Sequence, residues 1–215
     1  QDADVLAGPA IPSQIERTFG GQVAAQALTA AQRTVEDKQV HSLHGYFVGP
    51  GDTKNPLELQ VERLRDGRSF ASREVRVVQD GRLVFIMLAS FHRDGDAGPE
   101  HQDVAPQVLS PDEAARRGGG APYSTRIILK EWTDWDIRLV PDEGRDDAAA
   151  EVTGAGYRHI WFRNTGELGS DPAFHRAALT YMSDMTLIRS ALIPHQGEKI
   201  QLASLDPVSY THLTL

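Results

Sequence analysis

The chain has 215 residues, of which 40% are hydrophobic and 24% charged, and it contains no cysteine. Disulfide frameworks, thiolate nucleophiles and cysteine-ligated zinc are therefore excluded, and no apolar run is long enough to predict a membrane span. The net charge of −8, from 30 acidic and 22 basic residues, argues against nucleic acid as a partner, because nucleic-acid-binding proteins usually carry a basic surface.

The first half of the chain predicts one helix and an antiparallel sheet. Residues 5–7 predict a short strand, and the Ala-rich segment 23–35 predicts a thin helix of about three turns. Four strand-like segments follow, at residues 40–48, 57–64, 70–78 and 83–91. Segment 83–91 is almost continuously apolar, which predicts a central strand buried on both faces, and Asp66-Gly67 and Asp80-Gly81 predict hairpin turns. This order of elements is typical of an α+β fold.

The second half repeats strand and helix signals after a polar, glycine-rich segment that includes a short predicted helix at residues 111–116. Strands are predicted at residues 135–140, 157–163 and 200–205. A further helix is predicted to start at Pro172, with Asp171 as a favourable N-cap. Pro194 is predicted to end this helix. The apolar residues of this helix form a stripe at i, i+4 and i+7 spacing: Phe174, Ala178, Tyr181, Met185, Ile188 and Leu192.

Several catalytic signatures are missing from the sequence. It has no GxSxG, HExxH, P-loop or GxGxxG motif, and its eight histidines form no metal-ligand pattern. Serine-triad, zinc-hydrolase and nucleotide-binding functions are therefore disfavoured, and we expect neither a metal nor another cofactor.

Seven segments, in order and at the appropriate spacing, resemble the acyl-CoA thioesterase II (TesB-like) family. They read FGGQVAAQAL, VHSLHGYFVGPGD, RDGRSFASREVRVVQDG and LVFIMLASF in the first half, then HIWFRNTG, YMSDMTLI and IQLASLD in the second. The resemblance covers roughly residues 5–206. It implies a double hot-dog fold, in which each of two antiparallel sheets wraps around a central helix. It also implies hydrolysis of fatty acyl-CoA to free fatty acid and CoA.

The resemblance further implies a site made of an Asp on the second-repeat helix, a Ser or Thr on the following strand, and a Gln near the C-terminus. The Asp matches Asp184 in SDMTL, and the hydroxyl residue matches Ser204 in LASLD. After Asp206 the sequence departs from the family pattern, and the Gln has no counterpart. We therefore expect a first repeat over residues 1–94, a linker over 95–124, an incomplete second repeat over 125–206, and a non-native tail over 207–215.

The helical wheel adds an independent indication for Asp184. It lies roughly 80° from the centre of the apolar stripe. Its wheel neighbours are mostly small: Ala173, Ala177, Ala191 and Ile188. The pattern alone slightly favours an ordinary boundary carboxylate that reaches solvent over one that faces a ligand. The family resemblance reverses this ranking and favours the ligand-facing role. We hypothesise direct attack of water on the thioester, assisted by Asp184 and Ser204.

Several other residues are weaker candidates for substrate binding, because an ordinary structural role explains each of them at least as well. Gly20 and Gly21 precede a helix and could bring backbone N–H groups close to substrate, but tight helix packing explains them equally well. Arg65 and Arg68 flank a hairpin and could meet CoA phosphates, although solvated turn arginines are at least as common. His41 shares a strand with His44, and strand alternation predicts that the two face opposite sides; an ordinary histidine is the commoner case.

The sequence also allows two alternatives to hydrolysis. A hot-dog dehydratase or hydratase usually has a His and an acidic residue at the start of its central helix, and FGGQ has neither. A non-catalytic acyl-CoA-binding module, or an inactive fragment, is favoured by the missing Gln. The second-half helix has too few strands to cover its apolar stripe, which predicts association, as in a homo-oligomer. The resemblance implies a cytoplasmic location for a bacterial protein and a peroxisomal one for a eukaryotic protein.

Overall fold

The computed structural model describes residues 4–13, 17–95, 99, 101, 104–117, 132–141, 159–185 and 208–209. The chain forms two compact units. The first unit contains β1 (Asp4–Gly8), α1 (Gly20–Gln32), β2 (Gln39–Phe47), β3 (Leu57–Asp66), β4 (Phe70–Gln79), β5 (Arg82–His92), α3 (Pro172–Ser183) and β8 (Val208–Ser209). The second unit contains α2 (Pro111–Arg117), β6 (Trp135–Leu139) and β7 (Ile160–Asn164).

The first unit is an antiparallel sheet in the order β1-β3-β4-β5-β2-β8, with α1 packed on one face. Alternate residues of each strand point towards the helix, and alanines cover much of the helix surface, so the sheet approaches α1 closely. The most deeply buried side chains of this core are Ala27, Leu28, Ala31, Val61, Ala71, Val75, Val77, Phe85, Met87 and Phe91. The predicted α+β fold, with a sheet packed on a helix, is confirmed for this unit.

The hairpin turn at Asp80-Gly81 is confirmed. Both residues have positive φ, 50° and 74°, and they join β4 to β5 directly. This backbone geometry matches the twist of the flanking strands, and glycine adopts it without strain.

Strand β5 is central, as predicted, but the prediction that both of its faces are buried is wrong. Phe85, Met87 and Ala89 face the core, whereas Leu88 between them is 53% exposed. An antiparallel sheet with a helix on one side leaves its other face towards solvent. Because nearly every residue of this segment is apolar, the sequence gives no sign that buried and exposed side chains alternate along β5.

The prediction that His41 and His44 face opposite sides of β2 is also wrong. Val40 pairs with Phe91 and Ser42 pairs with Ser90, so β2 has a bulge at His41. A bulge inserts one extra residue and breaks strict alternation. Both histidines consequently lie on the face of the sheet opposite α1.

Helix α3 begins as predicted but ends earlier. The Asp171 side chain accepts a hydrogen bond from the Ala173 N–H at 2.9 Å, which confirms the N-cap. The helix ends at Ser183, well before Pro194, so its predicted end is wrong. Its buried residues are Ala177, Thr180 and Met182, whereas Phe174 of the predicted stripe is 51% exposed.

Small residues form the contact between α1 and α3 because the two backbones nearly touch. A Cβ built on Gly21 would lie 2.0 Å from the Tyr181 carbonyl oxygen. The Gln32 side-chain amide also donates a hydrogen bond to the Ala173 carbonyl at 3.2 Å. A stripe of large apolar residues would hold the helices further apart. The tight helix packing considered for Gly21 is therefore present in the structure.

In the second unit, β6 and β7 form an antiparallel pair stabilised by charged side chains. Asp136 accepts hydrogen bonds from Arg138 and Arg163, and these bonds lower the pKa of its carboxyl group below the ordinary value. Residues 118–131, 142–158 and 186–207 are outside the described part, so the predicted strand at 200–205 is not among these elements. None of the helices in the described ranges is long and apolar enough to cross a membrane. The repeat and linker boundaries stay a prediction.

Candidate active site

The N-terminus of α1 lacks a capping side chain of its own. The residue at the N-cap position is Phe19, which makes no side-chain capping bond, and the first turn contains no acidic residue. The first N–H groups of a helix have no partner within the helix, and they carry a partial positive charge. This end of α1 therefore requires an acceptor from elsewhere.

Asp184 supplies that acceptor from the end of α3. It is the C-cap residue of α3, and its Oδ2 accepts a hydrogen bond from the Gly21 N–H at 3.1 Å. Its other carboxylate oxygen, Oδ1, is buried and has no hydrogen-bond partner within the described residues. A buried acceptor without a partner is costly in a folded protein, so it marks a place where a ligand or water is expected to bind.

Burial decides the protonation of this carboxyl group. It raises the pKa of Asp184 from 3.8 to about 6, because a charged carboxylate loses its hydration there. The hydrogen bond from Gly21 acts in the opposite direction and is the smaller effect. A carboxyl group that titrates near neutral pH can exchange protons with a substrate or a water molecule.

Gly20 makes room for the carboxylate. A Cβ built on Gly20 would lie 2.6 Å from Asp184 Oδ2 and 2.6 Å from Phe47 Cζ. Any side chain at this position would displace either the carboxylate or the phenyl ring. The Gly20 N–H makes no hydrogen bond within the described residues, so the first turn of α1 retains a donor beside the carboxylate.

The segment that enters α1 is anchored to the loop between β2 and β3. Thr18 donates hydrogen bonds to Gly51 through its N–H, at 3.0 Å, and to the Asp52 carbonyl through its hydroxyl. The buried Gln79 amide accepts from the Asp52 N–H at 2.8 Å and donates to the Asn55 carbonyl at 2.7 Å. These bonds fix where the helix starts.

The structure brings Asp184, Gly20 and Gly21 together, but it does not bring the predicted arginines to them. Arg65 and Arg68 belong to the β3–β4 hairpin, which is bonded through Arg73 to Thr34, just after the end of α1. Since α1 has 13 residues, the hairpin lies roughly 20 Å from the Asp184 end of the helix.

His41 is also remote from Asp184. It lies on the sheet face opposite α1, where its Nε2 is 2.8 Å from the Ser90 hydroxyl and its ring contacts Phe70 and His92. The other predicted catalytic residue, Ser204, lies outside the described residues.

Comparisons of the sequence with protein families and with curated proteins all identify acyl-CoA thioesterases as its relatives. The acyl-CoA thioesterase N-terminal domain family matches residues 9–92, and the acyl-CoA thioesterase family matches residues 130–212. Acyl-coenzyme A thioesterase 8 of Mus musculus is 33% identical over 211 residues, covering 92% of this chain and 66% of the mouse protein. The chain thus spans about two thirds of the length of that curated relative.

Solved structures agree with this comparison. The crystal structure of an acyl-CoA thioesterase II TesB2 from Mycobacterium marinum superposes with a TM-score of 0.74 at 37% identity, over 95% of this chain and 73% of that one. A protein with a hot-dog fold from Alicyclobacillus acidocaldarius superposes with a TM-score of 0.65 at 22% identity, over 89% of this chain and 67% of that one. The second similarity concerns the fold alone.

Proposed function

The chain belongs to the acyl-CoA thioesterase II family, and from that premise we propose that it hydrolyses fatty acyl-CoA thioesters to free fatty acid and CoA. One observation carries the proposal beyond family membership. A carboxylate, Asp184, is held at the N-terminus of α1 with one oxygen bonded and the other without a partner in the described residues.

In the proposed reaction the ionised Asp184 removes a proton from a water molecule. Oδ2 is already bonded to Gly21, so Oδ1 is the oxygen left to accept the hydrogen bond from that water. The water oxygen forms a bond to the thioester carbonyl carbon, and the carbonyl oxygen becomes an oxyanion. When the tetrahedral intermediate collapses, the C–S bond breaks, CoA leaves as a thiolate, and it takes up the proton from Asp184.

The N-terminus of α1 is the proposed binding site for the oxyanion. The Gly20 N–H is a donor in the first turn of a helix, where the helix dipole also favours negative charge. We assign the Ser204 hydroxyl to orienting the water, as the family pattern implies. No covalent enzyme intermediate is needed in this scheme, which fits a site built around a carboxylate.

Release of CoA thiol from acyl-CoA substrates of several chain lengths tests the proposal. The chain has no cysteine, so a thiol-specific reagent reports only the CoA that is released. We expect thiol release above the uncatalysed rate. Binding of a non-hydrolysable thioether analogue without any thiol release would contradict hydrolysis and would favour an acyl-CoA-binding module instead.

The pH dependence of hydrolysis is expected to follow the ionisation of Asp184. Only the ionised carboxylate can accept a proton, and its pKa is about 6, so the rate should rise with pH through this value and level off above it. The measurement is kcat/KM for thiol release as a function of pH. A profile whose acid limb lies near pH 4, the ordinary range of an aspartate, would contradict the role of a buried carboxyl group.

A further inference from the structure

Phe47, the last residue of β2, lies beside the Asp184 carboxylate. Its ring edge and Asp184 Oδ2 both approach the same small space at Gly20, each 2.6 Å from the position that a Cβ would occupy. The ring is also packed against the hydrophobic core, with its centroid 4.7 Å from that of Phe85. An apolar ring therefore occupies space beside the carboxylate that water would otherwise fill.

The position of this ring is determined by the core behind it. Phe85 is fully buried, and a Cβ built on Gly45 would lie 2.4 Å from its Cζ. The absence of a side chain at Gly45 thus allows Phe85 to take its place, and Phe85 in turn supports Phe47. Since packed cores resist displacement of large side chains, the Phe47 ring has little freedom to move away from Asp184.

We propose that Phe47 is a positioning residue, whose ring excludes bulk water from the Oδ2 side of the Asp184 carboxylate and holds it against the Gly21 N–H, while Oδ1 stays open to the reacting water. Its catalytic consequence rests on the proposed function, in which Asp184 is the base. The ring itself touches neither the thioester nor the water in this scheme. It acts through Asp184, by controlling the pH at which the carboxylate becomes ionised.

The charged groups on the surrounding elements do not provide another explanation. Helix α1 has no charged residue, and the histidines of β2, His41 and His44, lie on the opposite face of the sheet. On α3 the nearest charged or basic groups are His175 and Arg176, which precede Asp184 by two turns or more. Burial is accordingly the main cause of the raised pKa of Asp184.

The test replaces Phe47 in the full chain and measures the pKa of Asp184 by carboxyl ¹³C NMR. In Phe47→Ala we expect the pKa to fall from about 6 towards 3.8, because water reaches the carboxylate. Phe47→Leu keeps an apolar cover and should retain a raised pKa. Tyr46→Ala removes a ring from the neighbouring residue on the exposed face and serves as the matched control, with no change expected.

A second variant covers the case in which Phe47→Ala does not fold. Phe47→Gln retains much of the side-chain volume but places a polar amide beside the carboxylate, so it should also lower the pKa. An unchanged pKa in the folded Ala or Gln variant would overturn the inference, since Phe47 would then be an ordinary core residue.

Measuring the pH profile of thiol release in the same variants separates this inference from the proposed function. If Phe47 controls Asp184 and Asp184 is the base, the acid limb of the profile should move with the NMR pKa. A lowered NMR pKa with an unmoved profile supports the role of Phe47 and contradicts the role of Asp184. The NMR pKa decides the inference even if thiol release is absent.

Discussion

Replacement of Asp184 by asparagine is expected to lower the rate of thiol release from acyl-CoA by a factor of about 10² to 10⁴, the usual contribution of a general base. Asparagine has nearly the same shape, and its side-chain oxygen can still accept the hydrogen bond from the Gly21 N–H. It cannot take up a proton from water. The loss should therefore appear in kcat, with the fold preserved.

The same substitution is expected to stabilise the protein at neutral pH. Asp184 has a pKa of about 6 in the folded protein and an ordinary value of 3.8, so folding disfavours its ionised form. This destabilisation is absent well below pH 3.8, where both states are protonated; it grows as the pH rises from 3.8 to about 6 and is constant above that. At neutral pH it amounts to about 3 kcal/mol, from 1.36 kcal/mol for each pKa unit. The measurement is denaturant unfolding of Asp184→Asn and the wild type at neutral pH and again well below pH 3.8. The difference in stability between the two proteins should be present only at neutral pH.

Asp171→Asn is the matched control at the other end of α3. Asp171 caps the helix through the Ala173 N–H, and asparagine is an equally favourable N-cap, so neither activity nor stability should change appreciably. If Asp184→Asn retained wild-type kcat while Asp171→Asn did the same, Asp184 would not be the base. If Asp184→Asn lost activity because it unfolded, the expected gain in stability would be contradicted as well.

The sequence predicts local elements well because their signals are local. The strands of the first unit, the Ala-rich helix and the α3 N-cap all follow from periodicity and capping within a few residues. The bulge at His41 and the end of α3 depend on contacts with other elements. The hydrogen bond between Gly21 and Asp184 joins residues 163 positions apart, so no local pattern could pair them.

Two features of the structure that were not predicted nevertheless have signals in the sequence. The start of α1, Phe19-Gly20-Gly21, has no capping side chain, which indicates that an acceptor must come from elsewhere in the fold. Arg73 occupies a core-facing position of β4, where its neighbours on the same face are Ala71 and Val75. A single charged residue in an otherwise apolar register predicts a buried, fully bonded side chain.

Arg73 fits that description. It is 1% exposed, and each of its five donor hydrogens has an acceptor. Nε donates to the Thr34 hydroxyl, Nη1 to the Arg65 and Ser72 carbonyls, and Nη2 to the Thr34 carbonyl and the Asp66 carboxylate. The guanidinium thus joins the segment after α1 to the β3–β4 hairpin. It also lies where the partial negative charge at the end of a helix favours a cation.

Replacement of Arg73 by methionine is expected to lower the free energy of unfolding by about 3 to 5 kcal/mol, because each buried acceptor that loses its donor costs roughly 1 to 3 kcal/mol. Methionine fills part of the volume but leaves the carbonyls of Thr34, Arg65 and Ser72 without their donor. Asp66 contributes little to this loss because its side chain is 53% exposed and water replaces the arginine. Denaturant unfolding at neutral pH is the measurement.

The control is Arg76→Met on the same strand. Arg76 is 47% exposed and lies 3.6 Å from Glu74, so its loss should change stability by no more than about 0.5 kcal/mol. Lysine at position 73 should recover only part of the stability, because three donors cannot satisfy five acceptors. Equal effects of Arg73→Met and Arg76→Met would show that the buried network is not what joins α1 to the hairpin. A loss confined to Arg73→Met matters for the site as well, since a domain stable by 5 to 15 kcal/mol has little margin and α1 carries the donors that face Asp184.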